Sequence, residues 1–176
     1  MPAFLQARGA MIAHAWTALC DRCTVDRETD HLSLVTLEVI SVTKPDDGEP
    51  AVVPCHLEVV SLWYRRDPDQ GGQQRARVCI LSPDLVPIAR LTVEIDLRLT
   101  QRFRTRCVID GLLVQRPGTY LVTVDLLGAT PMREVARIPL QVELTRDERG
   151  HFQSTSTSQF TSTSTCLPLP SSRCIG

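Results

Sequence analysis

The ten residues LTVEIDLRLT, Leu91 to Thr100, decide the fold class. Leu91, Val93, Ile95, Leu97 and Leu99 occupy one parity, and Thr92, Glu94, Asp96, Arg98 and Thr100 the other. Side chains alternate between the two faces of a strand, so this stretch has one buried and one wetted side. A helix would scatter the same five apolar residues around its circumference.

The pattern recurs in both directions. Upstream, Arg75–Leu81 sets Ala76, Val78 and Ile80 against Arg75 and Arg77, with Ser82-Pro83-Asp84 as the intervening turn. Cys55–Tyr64, CHLEVVSLWY, is apolar at both parities and predicts a strand covered on both faces. Arg65–Gln74, RRDPDQGGQQ, reads as a long hairpin loop. His31–Thr43 is rich in β-branched residues and reads as one strand, Ala13–Thr24 as another, and Lys44–Pro50 as a loop. Downstream lie Arg104–Ile109, a bend near Asp110-Gly111, then Tyr120–Leu126 and Arg133–Leu144. Pro139 has no N–H to give a ladder, so its strand is expected at an edge there or to carry a bulge. Tyr120, entering a late strand just after Gly118, has the placing of a tyrosine corner, with its ring in the core and its hydroxyl on nearby backbone.

About eight strands separated by turn signals, with no amphipathic helix, predict an all-β protein. The expected architecture is an immunoglobulin-like antiparallel two-sheet sandwich over residues 11–147. Residues 148–176 include STSTSQFTSTST from Ser154, which has too little apolar surface to offset ordering entropy, and read as a disordered tail. Met11 stands as a second candidate start, because the patterned sequence begins just after it.

Composition narrows the function classes. The chain has 176 residues, with 43% hydrophobic and 22% charged, the profile of an ordinary globular domain. A formal net charge of -1 offers no global field for nucleic acid or an anionic membrane. Of the 19 basic residues only Lys44 is a lysine; codon bias in a GC-rich genome accounts for this most simply, selective use of guanidinium for bidentate anion contacts being the other account. No apolar run reaches the ~18 residues of a membrane span. Ala10–Cys20, AMIAHAWTALC, is broken by His14 and Trp16 and lacks a small-x-small cleavage site, so it does not read as a signal peptide. The chain is expected to be cytoplasmic, its seven cysteines reduced thiols.

Candidate chemistry is sparse. Cys20-Asp21-Arg22-Cys23 is a single CxxC; with Cys55 and His56 it could form a zinc or thiol site. On regular strands Cys20 and Cys23 point to opposite faces, as do Cys55 and His56, so buried or half-exposed thiols are the preferred account. No thioredoxin-type helix follows the CxxC. His14, His31, His56 and His151 have no patterned Ser, Cys or Asp partner, and no nucleophile elbow, Walker loop or dinucleotide fingerprint occurs. Glu94 and Asp96 share an outward face and read as a solvated pair rather than an acid/base couple.

The most informative polar feature is a row. Arg98, Arg102, Arg104 and Arg106 share one parity, with Phe103, Thr105 and Cys107 on the other. On a regular strand Arg102, Arg104 and Arg106 would stand ~7 Å apart. The simplest account is an edge strand defended by charge, neutralised by Glu94, Asp96 or Glu143. As a contact surface the row suits a phosphorylated or acidic partner. Trp63, Tyr64, Arg65 and Arg66 form a second patch of residue types favoured at interfaces, although Trp63 reads better as core.

The segments TALCDRCTVD, LSLVTLEVIS, PCHLEVVSLWY, RVCILSPDL and GLLVQRPGTYLVTVDLLG resemble a bacterial family of small, uncharacterised, cytosolic β-sandwich proteins. The resemblance spans about Ala13 to Leu144 and rests on an early Ala18-Leu19-Cys20-Asp21 strand and the Pro117-Gly118-Thr119-Tyr120 entry to a late one. It implies a single sandwich domain and carries over no catalytic residue. Cys23, the arginine row and the Ser/Thr tail are not among the features that carry the resemblance.

These readings converge on a non-enzymatic binding or scaffold module. It would meet a protein partner or anionic ligand through sandwich loops or the arginine-lined strand, using Arg102, Arg104, Arg106, Arg65 and Arg66. No catalytic residue, metal or cofactor is assigned. The alternative is a zinc- or thiol-dependent enzyme using Cys20, Cys23, Cys55 and His56. Carbohydrate binding wants a planar row of exposed aromatics, and two Trp, two Tyr and four Phe supply few. Nucleic-acid binding through the row is opposed by the near-neutral charge.

Overall fold

Alternation becomes burial wherever a strand lines the centre. The computed structural model describes residues 12–43, 50–67, 69, 71–128 and 132–145, and the backbone course of 162–168. In chain order the strands are β1 (Ile12–Val25), β2 (Leu32–Thr36), β3 (Val39–Thr43), β4 (Ala51–Arg65), β5 (Gln73–Leu81), β6 (Pro87–Asp96), β7 (Arg102–Val114), β8 (Gly118–Leu127), β9 (Arg133–Thr145) and β10 (Ser162–Pro168). Nine of them build two sheets, ordered β7-β4-β1-β2 and β3-β9-β8-β5-β6, and β10 lies along the free side of β7. Every pairing is antiparallel except that of β3 with β9, which is parallel.

Between the sheets lies one core. Val59 and Trp63 of β4, Ala76, Val78 and Ile80 of β5, Val93 and Ile95 of β6, and Val122, Val124 and Leu126 of β8 are all buried in it. Fully burying side chains of this size stabilises by roughly 1.5–3 kcal/mol each before the entropy of ordering is counted. The all-β, two-sheet expectation holds. Tyr120 packs in this core, donates its hydroxyl hydrogen to the Arg116 carbonyl at 3.0 Å and accepts the Gln115 N–H at 3.2 Å. The expected tyrosine arrangement is present.

Pro139 sits as expected. Gln141 donates its N–H to the Glu38 carbonyl just before β3, and β3 pairs β9 only from Gln141 onward. Pro139, two residues earlier, faces the same side, where no strand yet claims an N–H.

Four expectations are corrected. His31–Thr43 is two strands in different sheets: Leu37 N–H bonds the Leu19 carbonyl of one sheet, and Glu38 accepts from Gln141 of the other, so the chain crosses between them at that point. Arg65–Gln74 is not a hairpin loop, because β4 and β5 belong to opposite sheets. The Leu91–Thr100 strand ends at Asp96, whose carboxylate turns to accept from the Arg98 backbone N–H and guanidinium. Leu97 still reaches the core, but Leu99 is 92% exposed. Finally, part of the stretch expected to be a disordered tail is a strand: residues 162–168 pair with Phe103–Ile109. The domain limits at 11 and 147, the Lys44–Glu49 part of the loop and the remainder of 148–176 lie outside the described residues.

A second apolar cluster lies on the opposite face of the β1–β4–β7 sheet. It contains Cys20, Cys23 and Val60, flanked by Trp16, Val25, Leu32 and Leu34. Asp30, in the β1–β2 turn, meets Arg104 of β7 at 3.6 Å, on the far side of β4. This sheet therefore curls over its own outer face, and that curl creates the candidate site.

Candidate ligand-contact face

On the outer face, β4 and β7 bring side chains together in rungs: Tyr64 with Arg102, Leu62 with Arg104, Val60 with Arg106, Glu58 with Val108 and His56 with Asp110. The arginine parity read from the sequence is thus correct for Arg102, Arg104 and Arg106, whereas Arg98 lies in the connection between β6 and β7. The rungs divide into a closed half and an open half.

The closed half centres on Glu58, 1% exposed. Arg106 clasps it through two guanidinium bonds, Nε to Oε2 at 2.8 Å and Nη2 to Oε1 at 2.5 Å. His56 Nε2 lies 3.0 Å from Glu58 Oε1, and its Nδ1 lies 2.6 Å from Asp110 Oδ1. Burial acts to raise the Glu58 carboxyl, and Arg106 and His56 outweigh it, leaving it below the usual carboxylate range. Its hydrogen bonds to Glu58 and Asp110 hold the His56 imidazole above its ordinary value. The expected neutralisers hold for one member of the row, since Asp96 pairs with Arg98. Arg106 is neutralised instead by Glu58, its diagonal neighbour on β4. Nor is β7 an edge strand, since β4 flanks it on one side and β10 on the other.

The cysteines fall into separate groups. A register shift between Cys20 and Arg22 puts Cys20 and Cys23 in the same outer cluster, where a regular strand would separate them. Cys55 packs instead against the main core, while His56 is held by Glu58 and Asp110 on the other face. Burial pushes the Cys20 thiol up to about 12 and the Cys55 thiol up to about 11, and raises Cys23 as well. A reactive cysteine needs the reverse, a thiolate favoured near neutrality. Cys20, Cys23, Cys55 and His56 are not brought together, and among the described residues no group of three or more His, Cys, Asp or Glu is placed to hold a metal.

The open half begins at Arg104. It is only 7% exposed, its Nε is buried without an acceptor, and Asp30 stands at the long distance of 3.6 Å. Beyond it, Ala15, Leu62, Tyr64, Arg65, Gln101 and Arg102 line a cavity of about 390 Å³. The Arg65 backbone N–H donates to the Gln101 carbonyl at 3.0 Å, which ties the end of β4 to the turn before β7. The Arg65 Nε is also buried without an acceptor. Among the described residues no carboxylate pairs with Arg65 or Arg102, whereas Arg77, Arg98, Arg106, Arg116 and Arg137 each have one. The two patches expected separately, Arg102 in the row and Tyr64 with Arg65, thus meet around one cavity. Arg66 is exposed in the bend after β4 and is not among the lining residues. Trp63 is core, with its indole N–H donating to Thr105 Oγ1 at 3.0 Å.

Sequence reasoning missed Glu58, Asp30 and Gln101. For Glu58 a signal existed: a single acid set amid the apolar run of CHLEVVSLWY, a burial that demands a paired cation. Asp30 and Gln101 sit in turns, where composition says nothing of contacts. No protein-family model matches the chain, and none of the curated proteins matches it.

Proposed function

We propose that this chain is a cytoplasmic, non-enzymatic binding module built on an immunoglobulin-like sandwich. It meets an acidic protein partner or anionic ligand through the open half of the outer β4–β7 face. The immunoglobulin-like reading is supported by strand order. With β1, β4 and β7 taken as strands A, B and E, and β5, β8 and β9 as C, F and G, the two sheets match that arrangement. Tyr120 then falls at the start of strand F, its hydroxyl bonded to backbone just upstream. The reading also accords with the resemblance to small cytosolic sandwich proteins.

One observation carries the functional reading: Arg104 is almost fully buried, yet its Nε has no acceptor and its carboxylate neighbour stands off at 3.6 Å. A buried donor without a partner costs roughly 1–3 kcal/mol, more when charged. A fold bears such a cost most readily where an incoming anion relieves it, and Arg102, which has no carboxylate partner among the described residues, adds a further charge beside it. Arg106, neutralised by Glu58, belongs to the framework. The test is affinity capture with wild type and with an Arg102→Ala/Arg104→Ala variant, both checked for folding by circular dichroism. Wild type should recover partners that the variant loses and that fall away as salt is raised. Recovery of the same partners by both proteins overturns the reading.

A further inference from the structure

We infer that the side of β7 paired with β10 is an exchangeable strand-binding site, and that its ligand is an extended segment of a partner protein with acidic residues two positions apart, set against Arg104 and Arg102. The inference rests on the binding-module reading and specifies the form and charge pattern of the acidic partner.

β10 is a weakly specified occupant. It pairs with Phe103–Ile109 and stops short of Arg102 at the start of β7. Its sequence, STSTCLP, has one large apolar residue, Leu167, and no acid. The backbone ladder therefore supplies most of its hold. Any extended segment makes the same main-chain bonds, so side chains decide which occupant fits best. Among the described strands none pairs with the far side of β10, and the other nine keep their pairings without it.

Register sets what fits. Directly opposite residues of an antiparallel pair share a face, with Cβ atoms ~4.5–5.5 Å apart. Leu167 stands opposite Arg104, and Thr165 opposite Arg106. Arg106 is already clasped by Glu58. Arg104 is buried with no acceptor at its Nε, and Asp30 stands off at 3.6 Å. An acid in the Leu167 position would meet Arg104 from the side away from β4. Two positions further, ~7 Å along an extended strand, the same ladder reaches Arg102, which has no carboxylate partner among the described residues. A second acid there completes the match, whereas acids opposite Arg106 would crowd Glu58.

Three synthetic peptides of residues 160–170 test this: the parent sequence, one with Leu167→Glu and Leu169→Glu, and one of equal charge with Thr163→Glu and Thr165→Glu. Each is titrated into the ¹⁵N-labelled full chain, as wild type and as Ser164→Pro/Thr165→Pro. Neighbouring residues alternate in bonding to β7, so one of the two prolines must break the ladder. The Leu167→Glu/Leu169→Glu peptide should shift the amides of residues 102–109 and slow their hydrogen exchange. It should bind at least about tenfold tighter than either other peptide, and tighter to the proline variant than to wild type. Arg104→Gln in the proline variant should abolish the preference. Equal binding of the three peptides, or a preference that survives Arg104→Gln, overturns the inference. In wild type alone, β7 amides that face β10 should exchange at least about tenfold faster than those that face β4. Equal protection makes β10 a fixed part of the sheet and overturns the inference even where the proline variant does not fold. Concentration-dependent dimers without peptide binding assign the site to a second copy and overturn it too. Shifts at Arg104 on adding inorganic phosphate, with no effect of any peptide, sink the strand site and leave the binding face standing. No effect of peptides or phosphate sinks both.

Discussion

Glu58 shows at the residue scale how a buried acid is tolerated. Two guanidinium bonds and an imidazole surround a carboxylate that is 1% exposed. Glu58→Gln keeps the shape and removes the charge, which strands Arg106 and His56. The expected loss is on the order of 2 kcal/mol, below the 3–5 kcal/mol of a fully buried pair because Arg106 is partly open to solvent. The denaturant midpoint should fall with no change in m. The His56 contribution has a definite pH signature. Its folded-state value lies above its ordinary 6.5. Its stabilisation is therefore complete below pH 6.5 and is lost as pH rises through the folded value. Glu58 lies below its ordinary 4.5, so its stabilisation is present above pH 4.5 and is lost as pH falls through the folded value. The midpoint gap between wild type and His56→Gln should thus be widest between these two limits and narrow toward alkaline pH. A gap that stays constant from about pH 5 to about pH 9 would show that the imidazole adds no proton linkage. Sequence made the parity of Arg102, Arg104 and Arg106 legible. It could not say which arginine is neutralised, because Glu58 and Arg106 lie 48 residues apart and meet only through register.

Strands were legible as elements, and their ends were not. The alternation of Leu91–Thr100 continues to Leu99, yet β6 stops at Asp96 because a carboxylate competes for nearby backbone and guanidinium donors. The chain leading into β5 packs against this ending. Leu97 donates its N–H to the Gly72 carbonyl, and a Cβ on Gly71 would lie 2.8 Å from the Arg98 Cα and 2.9 Å from its carbonyl oxygen. Both obstacles are backbone, so Gly71→Ala must push the connection away from the end of β6. An expected loss of about 1–3 kcal/mol should appear as a lower thermal midpoint. An unchanged midpoint would mean that the connection yields without cost. Such a close approach leaves no mark in sequence, where Gly71-Gly72 reads only as a permissive loop.

At the scale of the whole molecule, one sheet separates two apolar bodies of unequal size. Val59 and Val60 are consecutive, chemically identical and both buried, yet Val59 belongs to the main core and Val60 to the small outer cluster. Truncation to alanine should cost about 2–3 kcal/mol at Val59, where rigid neighbours on both sheets leave a cavity. At Val60 it should cost about 1 kcal/mol less, because Trp16, Leu32 and Leu34 are partly exposed and can close in. Equal losses in urea unfolding would show that the outer cluster is as rigid as the core. Sequence by itself determined that the chain is all-β, which residues of each strand share a side, and that Tyr120 and Pro139 hold special places. These follow from period, turn chemistry and the missing N–H of proline, all of which act within a few residues. Only the tertiary structure decided that His31–Thr43 divides between two sheets. The even-numbered Leu32, Leu34, Ile40 and Val42 keep one unbroken parity while burying in two different clusters. The same holds for the arginine row and the cavity beside Tyr64. Parity reports the face of a strand and carries no information about what that face meets, because the partner arrives from a distant part of the chain.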